Sequence, residues 1–293
     1  MVRFDRESLN ELRRLALAAR RVGGGILAKP QSPLPAGGIE LTGHRDYAPG
    51  DDYRSVDWNL AARHDELLVK QFAGEADCPT YILLDCSQSM SLGRPSKLEV
   101  ARRVASALAY VALADSGRAS VLAFSDRIVA RFGPVGQLAR IAELARFVDR
   151  LETRAEPTDL AAAAEGLAGA HVRRGLAVVV SDLYDPRGFQ RGLEVLRRCG
   201  YHPRVVQLCD PCEREPETPG DRELGDTELV DVETGATWQV TMTERHAARY
   251  RRLVAWFHDS VRSYCAGHGI ACAQVPVDLP EHQALLVAIG AAK

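Results

Sequence analysis

The residues best suited to chemistry stand where one apolar run ends: Tyr81-Ile82-Leu83-Leu84 gives way to Asp85-Cys86-Ser87-Gln88-Ser89, an acid followed by two alternate hydroxyls. A carboxylate and two hydroxyls are hard oxygen donors. They suit magnesium or manganese and do not suit zinc or copper, which favour nitrogen and sulfur. Magnesium requires an octahedron and gives up its waters reluctantly, so further oxygens have to come from neighbouring loops. The plainer role for the same residues is local, with Asp85 capping the next turn and the serines opening a helix, worth about 0.5–2 kcal/mol.

A continuous apolar run introduced by Pro79 suits a central strand covered by helices on both faces, the setting of a parallel sheet. Ligands of open α/β sheets sit beyond the carboxyl ends of the strands, where Asp85, Ser87 and Ser89 fall. Two more donors share that edge. The loop Glu156-Pro157-Thr158-Asp159 opens an Ala-rich helix expected to run to about Arg173, which puts Thr158 or Asp159 at a helix start. The apolar strand from Leu176 then ends at Ser181-Asp182, as the first strand ended at Asp85.

Between these donors, Leu98, Ala101, Ala105, Leu108 and Ala112 recur at helical spacing over 97–114, strands are expected at 118–125 and 128–132, and a helix at 136–151. Beyond Asp182 the pattern predicts a helix over 189–199, a strand over 202–209 and a Pro/Glu/Gly-rich loop over 210–225. A hairpin of 228–232 with 236–241 turns at Glu233-Thr234-Gly235. A long helix over 244–267 has Leu253, Phe257, Val261 and Tyr264 on one face and Arg249, Arg251 and Arg252 on its solvated side. A strand over 270–275 and a helix over 281–289 complete the chain. The fold class is α/β, a doubly wound, mostly parallel sheet with helices on both faces.

Upstream, residues 6–22 form an amphipathic pattern with Leu9, Leu12, Ala16 and Ala19 on one face, and a Gly/Pro-rich link spans 23–38. In the segment 43–63, Pro49-Gly50 marks a tight turn, and acids and arginines alternate around Trp58. That composition predicts a loop pinned by ion pairs and anchored by one large apolar ring. A strand over 67–72 leads to the central run. The domain boundary is expected at 77/78, with residues 1–77 packing on a body of 78–293 and the hairpin inserted near 210–243.

The 293 residues carry a net charge of -2, so no global field gathers nucleic acid or anionic lipid. Seven cysteines without a framework spacing indicate reduced thiols. Cys209 and Cys212 form a C-x-x-C pair that no second pair completes into a zinc site. The first residues lack a signal-peptide pattern, and the longest apolar run, 104–114, falls short of the roughly 18–20 residues of a membrane span. A cytoplasmic location is expected.

The set Asp85, Ser87, Ser89, Thr158 and Asp182 resembles the metal-ion-dependent adhesion site of von Willebrand factor A domains. The upstream pattern Tyr47-x-Pro-Gly-Asp-Asp-x-Arg-x-Val-Asp-Trp-x-x-x-Ala-Arg63 resembles, more narrowly, the bacterial family known as domain of unknown function fifty-eight. That resemblance extends from about Gly38 to the end. It implies Mg2+ or Mn2+ held by the hydroxyls of Ser87, Ser89 and Thr158, with Asp85 and Asp182 acting mainly through bound waters. It also implies a vacant ligand position for a carboxylate of another protein, and partnership with a MoxR-type AAA+ ATPase acting on an acidic client. The rival reading is a metal-dependent hydrolase or phosphatase. An aspartyl-phosphate enzyme would place a second acid two residues after the nucleophile, where Ser87 stands; no P-loop is present, and His44 and His64 are the histidines available as bases. A third reading is a scaffold whose donors only cap turns.

Overall fold

Largely apolar stretches of five to eight residues build the main sheet. The computed structural model describes residues 26–27, 40–46, 56–58, 60, 68–73, 78–115, 117–214, 226–233 and 235–290, of which 40–46 and 68–73 are described as backbone. The expected helix at 6–22 and most of the Tyr47 to Arg63 motif lie outside them.

Two units are present, Lys29–Cys78 and a body formed by the rest. In the smaller unit β1 (Glu40–Asp46) pairs antiparallel with β2 (Leu68–Ala73). The second strand is where the apolar pattern puts it; the first was not foreseen, because Glu-Leu-Thr-Gly-His-Arg-Asp has no clean alternation and the register slips between Leu41 and Gly43. Trp58 departs from the expected anchor. It is 60 % exposed, whereas Val56 and Asp57 are buried, so the small aliphatic group faces inward and the large ring outward.

The body is a six-stranded sheet in the order β10-β7-β6-β3-β4-β5, formed by β3 (Thr80–Asp85), β4 (Ala119–Phe124), β5 (Ile128–Val135), β6 (Leu176–Ser181), β7 (His202–Cys209) and β10 (Cys272–Pro276). All pairs are parallel except β4 with β5, whose short connection requires an antiparallel return. A separate ribbon joins β8 (Asp226–Val230) to β9 (Thr237–Thr241) as the expected hairpin.

The helices are α1 (Lys97–Ala114), α2 (Ile141–Asp149), α3 (Leu160–Gly169), α4 (Phe189–Arg198), the single turn α5 (Pro211–Arg214), α6 (Glu244–Gly267) and α7 (Glu281–Ala288). Strand alternation sorts the core into two layers. Ile82 and Leu84 join residues of α1, α2 and α7, together with Ile26, whereas Tyr81 and Leu83 join α3, α4 and α6. The central strand is therefore buried along its whole length.

The outlines differ from expectation where local chemistry overrides pattern. Helix α3 stops at Gly169 instead of reaching Arg173, since His171 takes a left-handed backbone at φ 51°. The helix expected from 136 starts as a 3-10 turn at Leu138–Arg140 before α2 begins. On α6 the buried stripe is Ala247, Val254, His258, Val261 and Cys265, rotated from the expected face, so Leu253 is exposed; Arg249, Arg251 and Arg252 lie in solvent as read.

The chain leaves β3 on one side to form β4 and β5, then returns to its other side as β6. The order thus reverses at β3, and the crevice beyond the ends of β3 and β6 is the switch point where α/β sheets bind ligands. Gly175 allows that return. A methyl built on it would overlap the carbonyl oxygen of Pro79, which accepts the Leu176 amide at 2.9 Å. Gly175→Ala is expected to lower stability by about 2–3 kcal/mol, read as a lower urea midpoint at unchanged slope.

Candidate metal centre

Asp85 is the last residue of β3 and is fully buried. Its two oxygens are already engaged. Oδ1 accepts the Ser87 amide at 2.9 Å, which folds the chain back into the 3-10 turn Gln88–Ser91, and Oδ2 accepts the Ser181 hydroxyl at 2.6 Å and the Thr158 hydroxyl at 3.3 Å. The turn leaves Ser87 and Ser89 side by side, both buried, with their hydroxyl oxygens 3.1 Å apart.

Thr158 reaches the site because its loop is tied to the end of β3. The Arg154 amide donates to the Cys86 carbonyl at 2.7 Å, and Asp159 donates its amide to Ser125 at the end of β4. The N-cap of α3 is Asp159, whose carboxylate accepts the Ala162 amide at 2.9 Å, so Thr158 is free of capping duty.

Asp182 follows β6 on the same edge and is also buried, but it belongs to a second network. Its Oδ2 accepts Lys97 Nζ at 2.7 Å, and its Oδ1 accepts the Tyr184 amide at 3.2 Å. Lys97, the first residue of α1, is wholly buried and also pairs with Glu213, which accepts the Tyr184 hydroxyl at 3.0 Å. Burial alone would lower the Lys97 pKa; the charges of Asp182 and Glu213 outweigh it and hold the ammonium charged, with its pKa raised. Leu183, next in the chain, is buried in a left-handed conformation at φ 66°, and its amide donates to Ser181 Oγ at 2.8 Å. The sharp corner directs Ser181 to Asp85 and Asp182 to Lys97.

The structure thus joins Asp85, Ser87, Ser89 and Thr158 in one cluster, with Asp182 beside it. Burial first, and then the neighbouring Asp182 charge, raise the Asp85 pKa to about 6 against the lowering hydrogen bonds from Ser181 and Ser87. Two buried carboxylates therefore face one another with Lys97 compensating only the second.

Three participants, Lys97, Ser181 and Glu213, were not foreseen. Lys97 looked like an ordinary helix start, although a lysine opening an apolar helix just after the site was a signal. Ser181 was read as part of a strand ending. Glu213 lay in a segment without periodicity.

Among the described residues no three His, Cys, Asp or Glu side chains converge closely enough to hold an ion by themselves. The donors that fit are hydroxyls. Cis oxygens of an octahedral magnesium site lie about 2.9–3.0 Å apart for bonds of about 2.0–2.1 Å, close to the Ser87–Ser89 separation.

Residues 43–257 match the family described as Protein of unknown function DUF58. The chain belongs to the DUF58 family. Its DUF58 region holds every site residue named above and ends within α6. Uncharacterised proteins of Mycobacterium bovis and Mycobacterium tuberculosis are 28 % identical to it over 258 residues, 83 % of this chain and 79 % of theirs. Among solved structures it is similar to BatB, a conserved hypothetical protein of Bacteroides thetaiotaomicron, at 14 % identity and a TM-score of 0.42, covering 73 % of this chain and 97 % of that one.

Lys97→Met in this DUF58 chain would strand two carboxylates and is expected to cost about 3–5 kcal/mol. Adding Asp182→Asn should restore at least about 1 kcal/mol, a coupling that a double-mutant cycle in urea measures directly.

Proposed function

We propose that this chain is a non-enzymatic, divalent-metal-dependent protein-binding module, with a site of the von Willebrand factor A type. In this reading it acts with a MoxR-type AAA+ ATPase in remodelling or maturation of a client. The supporting observation is the division of labour among the donors: both oxygens of Asp85 are taken up by Ser87, Ser181 and Thr158, which leaves adjacent serine hydroxyls as the groups to meet an ion.

Ser87, Ser89 and Thr158 would hold Mg2+ or Mn2+, and Asp85 and Asp182 would orient its waters. When bound, the ion would supply an electrophile little neutralised by uncharged hydroxyls, to which an acidic side chain of a partner is attracted. Loss of one member of such a desolvated charge contact typically costs about 2–5 kcal/mol. The carboxylate of Asp85 is hemmed in by three donors and poorly placed to attack phosphorus, and the Cys86 thiol is pushed up to about 12 by burial and then by Asp85. Both features favour binding over covalent catalysis.

A cytoplasmic setting belongs to the same reading. Among the described residues no disulfide links the six cysteines, and no helix is long and apolar enough to cross a membrane.

Magnesium at a hundredfold excess over its Kd is expected to stabilise the protein against urea by about 2.7 kcal/mol, with no such gain in a folded Ser87→Ala/Ser89→Ala variant. The purified MoxR-type ATPase should be retained on immobilised protein with magnesium and lost equally with chelator and with the variant. Magnesium-dependent turnover of a phosphate ester abolished by Asp85→Ala would replace this function with a catalytic one.

A further inference from the structure

The first half of α6 carries a surface that the rest of the fold does not use. One side of the helix is buried against the body. On the outer side two rows run along the axis in alternating steps of three and four residues, the spacing that keeps side chains in line on a helix. One row is Arg245, Arg249, Arg252 and Trp256; the row beside it is Tyr250, Leu253 and Phe257. Tyr250 is 43 %, Leu253 54 % and Trp256 69 % exposed, so three large apolar groups face water next to one another.

The arginines are unanswered. No acid lies between Glu244 and Asp259 in the chain. Arg245, Arg249 and Arg252 are exposed and make no ion pair or side-chain hydrogen bond among the described residues. Arg262, further along the same helix, shows the contrast: it pairs with Asp259 at 3.3 Å and donates to Gln274 at 2.6 Å. Cations three and four residues apart repel one another and weaken the helix that carries them. The buried face of α6 and the stacking of Phe257 on Tyr184, with ring centroids 4.9 Å apart, hold the helix in place without the arginine row.

We infer that this face docks an amphipathic helix of a partner protein, its apolar stripe seated on Tyr250, Leu253 and Trp256 and its acidic flank against Arg245, Arg249 and Arg252. An apolar row bordered by a row of one charge is the layout of a helix-pair seam, in which the partner supplies the opposite charge at the flanking positions. Trp, Tyr and Arg are also the residues that carry most of the binding energy at protein interfaces. A helix lying on a membrane turns its apolar side to lipid and its charged side to water, whereas here Arg249, Arg252 and Trp256 share the outermost row. Docking at α6 requires no ion in the crevice, so the inference stands apart from the metal reading. The seam nevertheless ends beside the crevice, since the Tyr184 on which Phe257 stacks donates its amide to Asp182 and its hydroxyl to Glu213.

The probe for a test on the full chain is a fluorescein-labelled helical peptide of heptads with Leu at a and d and Glu at e and g, whose like charges discourage self-pairing. It is expected to saturate the wild type and to bind less tightly as salt is raised. Affinity should fall about tenfold in Arg249→Glu/Arg252→Glu and in Leu253→Asp, each with an unchanged urea midpoint. Arg131→Glu/Arg150→Glu, the same charge change at exposed arginines elsewhere on the body, should bind as the wild type does. A peptide with Lys in place of Glu should not bind. Equal affinity for the two peptides, equal affinity in the two arginine variants, or no saturation up to about 1 mM would overturn the docking face. Binding of phosphatidylserine vesicles that Arg249→Glu/Arg252→Glu abolishes, without binding of the peptide, would overturn it in favour of a membrane surface.

Discussion

Buried negative charge at one edge of the sheet is the constraint on which this structure turns. Two strands deliver an aspartate each to the same crevice, and water is excluded from both. An ionised carboxylate in such a place must be hydrogen-bonded, paired or neutralised. The fold uses a different remedy for each. Asp85 receives an amide and two hydroxyls, whereas Asp182 receives the ammonium of Lys97. The loops after β3, α2 and β6 are shaped by these demands: the 3-10 turn brings back the Ser87 amide, the Arg154 strap carries Thr158 inward, and the left-handed Leu183 turns Ser181 toward its neighbour.

The lysine sharpens the distinction between the two acids. With Glu213 and Tyr184 it closes a buried network that ties the start of α1 to the end of β6 and to the short helix after β7. Such a network stabilises little relative to an apolar substitute, yet losing one member is costly, so it acts mainly to fix a single arrangement. Asp182 is thereby held at a set distance from Asp85, near enough to raise its pKa while remaining bonded elsewhere.

Much of the body was legible because its elements carry one clear signal each. Continuous apolar runs marked β3 and β6, and helical spacing marked α1 and α6, whose starts agree with Ser96 and Thr243 as caps. Where two signals competed, pattern misled. The α6 stripe was read one position off because Leu253 and Val254 are both apolar and a buried histidine, His258, interrupts the inner face. The site was legible in its hydroxyls and aspartates, which share a fixed spacing with strand ends, but not in Lys97 or Glu213. Those two reach it through long-range folding, and a charged residue in a helix start or a turn looks the same whether it meets water or a carboxylate. The Trp58 misreading has the same origin, since ring size predicts burial on average and not for a given turn.

The hydrogen bonds that hold the crevice together span great lengths of chain: Thr158 to Asp85 crosses 73 residues, Lys97 to Asp182 crosses 85, and Ser181 to Asp85 crosses 96. Parallel strands impose this, since each return requires a helix. No fragment ending before β6 contains both acids, and the flanking strand β4 cannot substitute for it. During synthesis the crevice therefore comes into being only after the chain has been made through Asp182 and the sheet has closed on both sides of β3. Recognition at this place is, in effect, inspection of a finished fold.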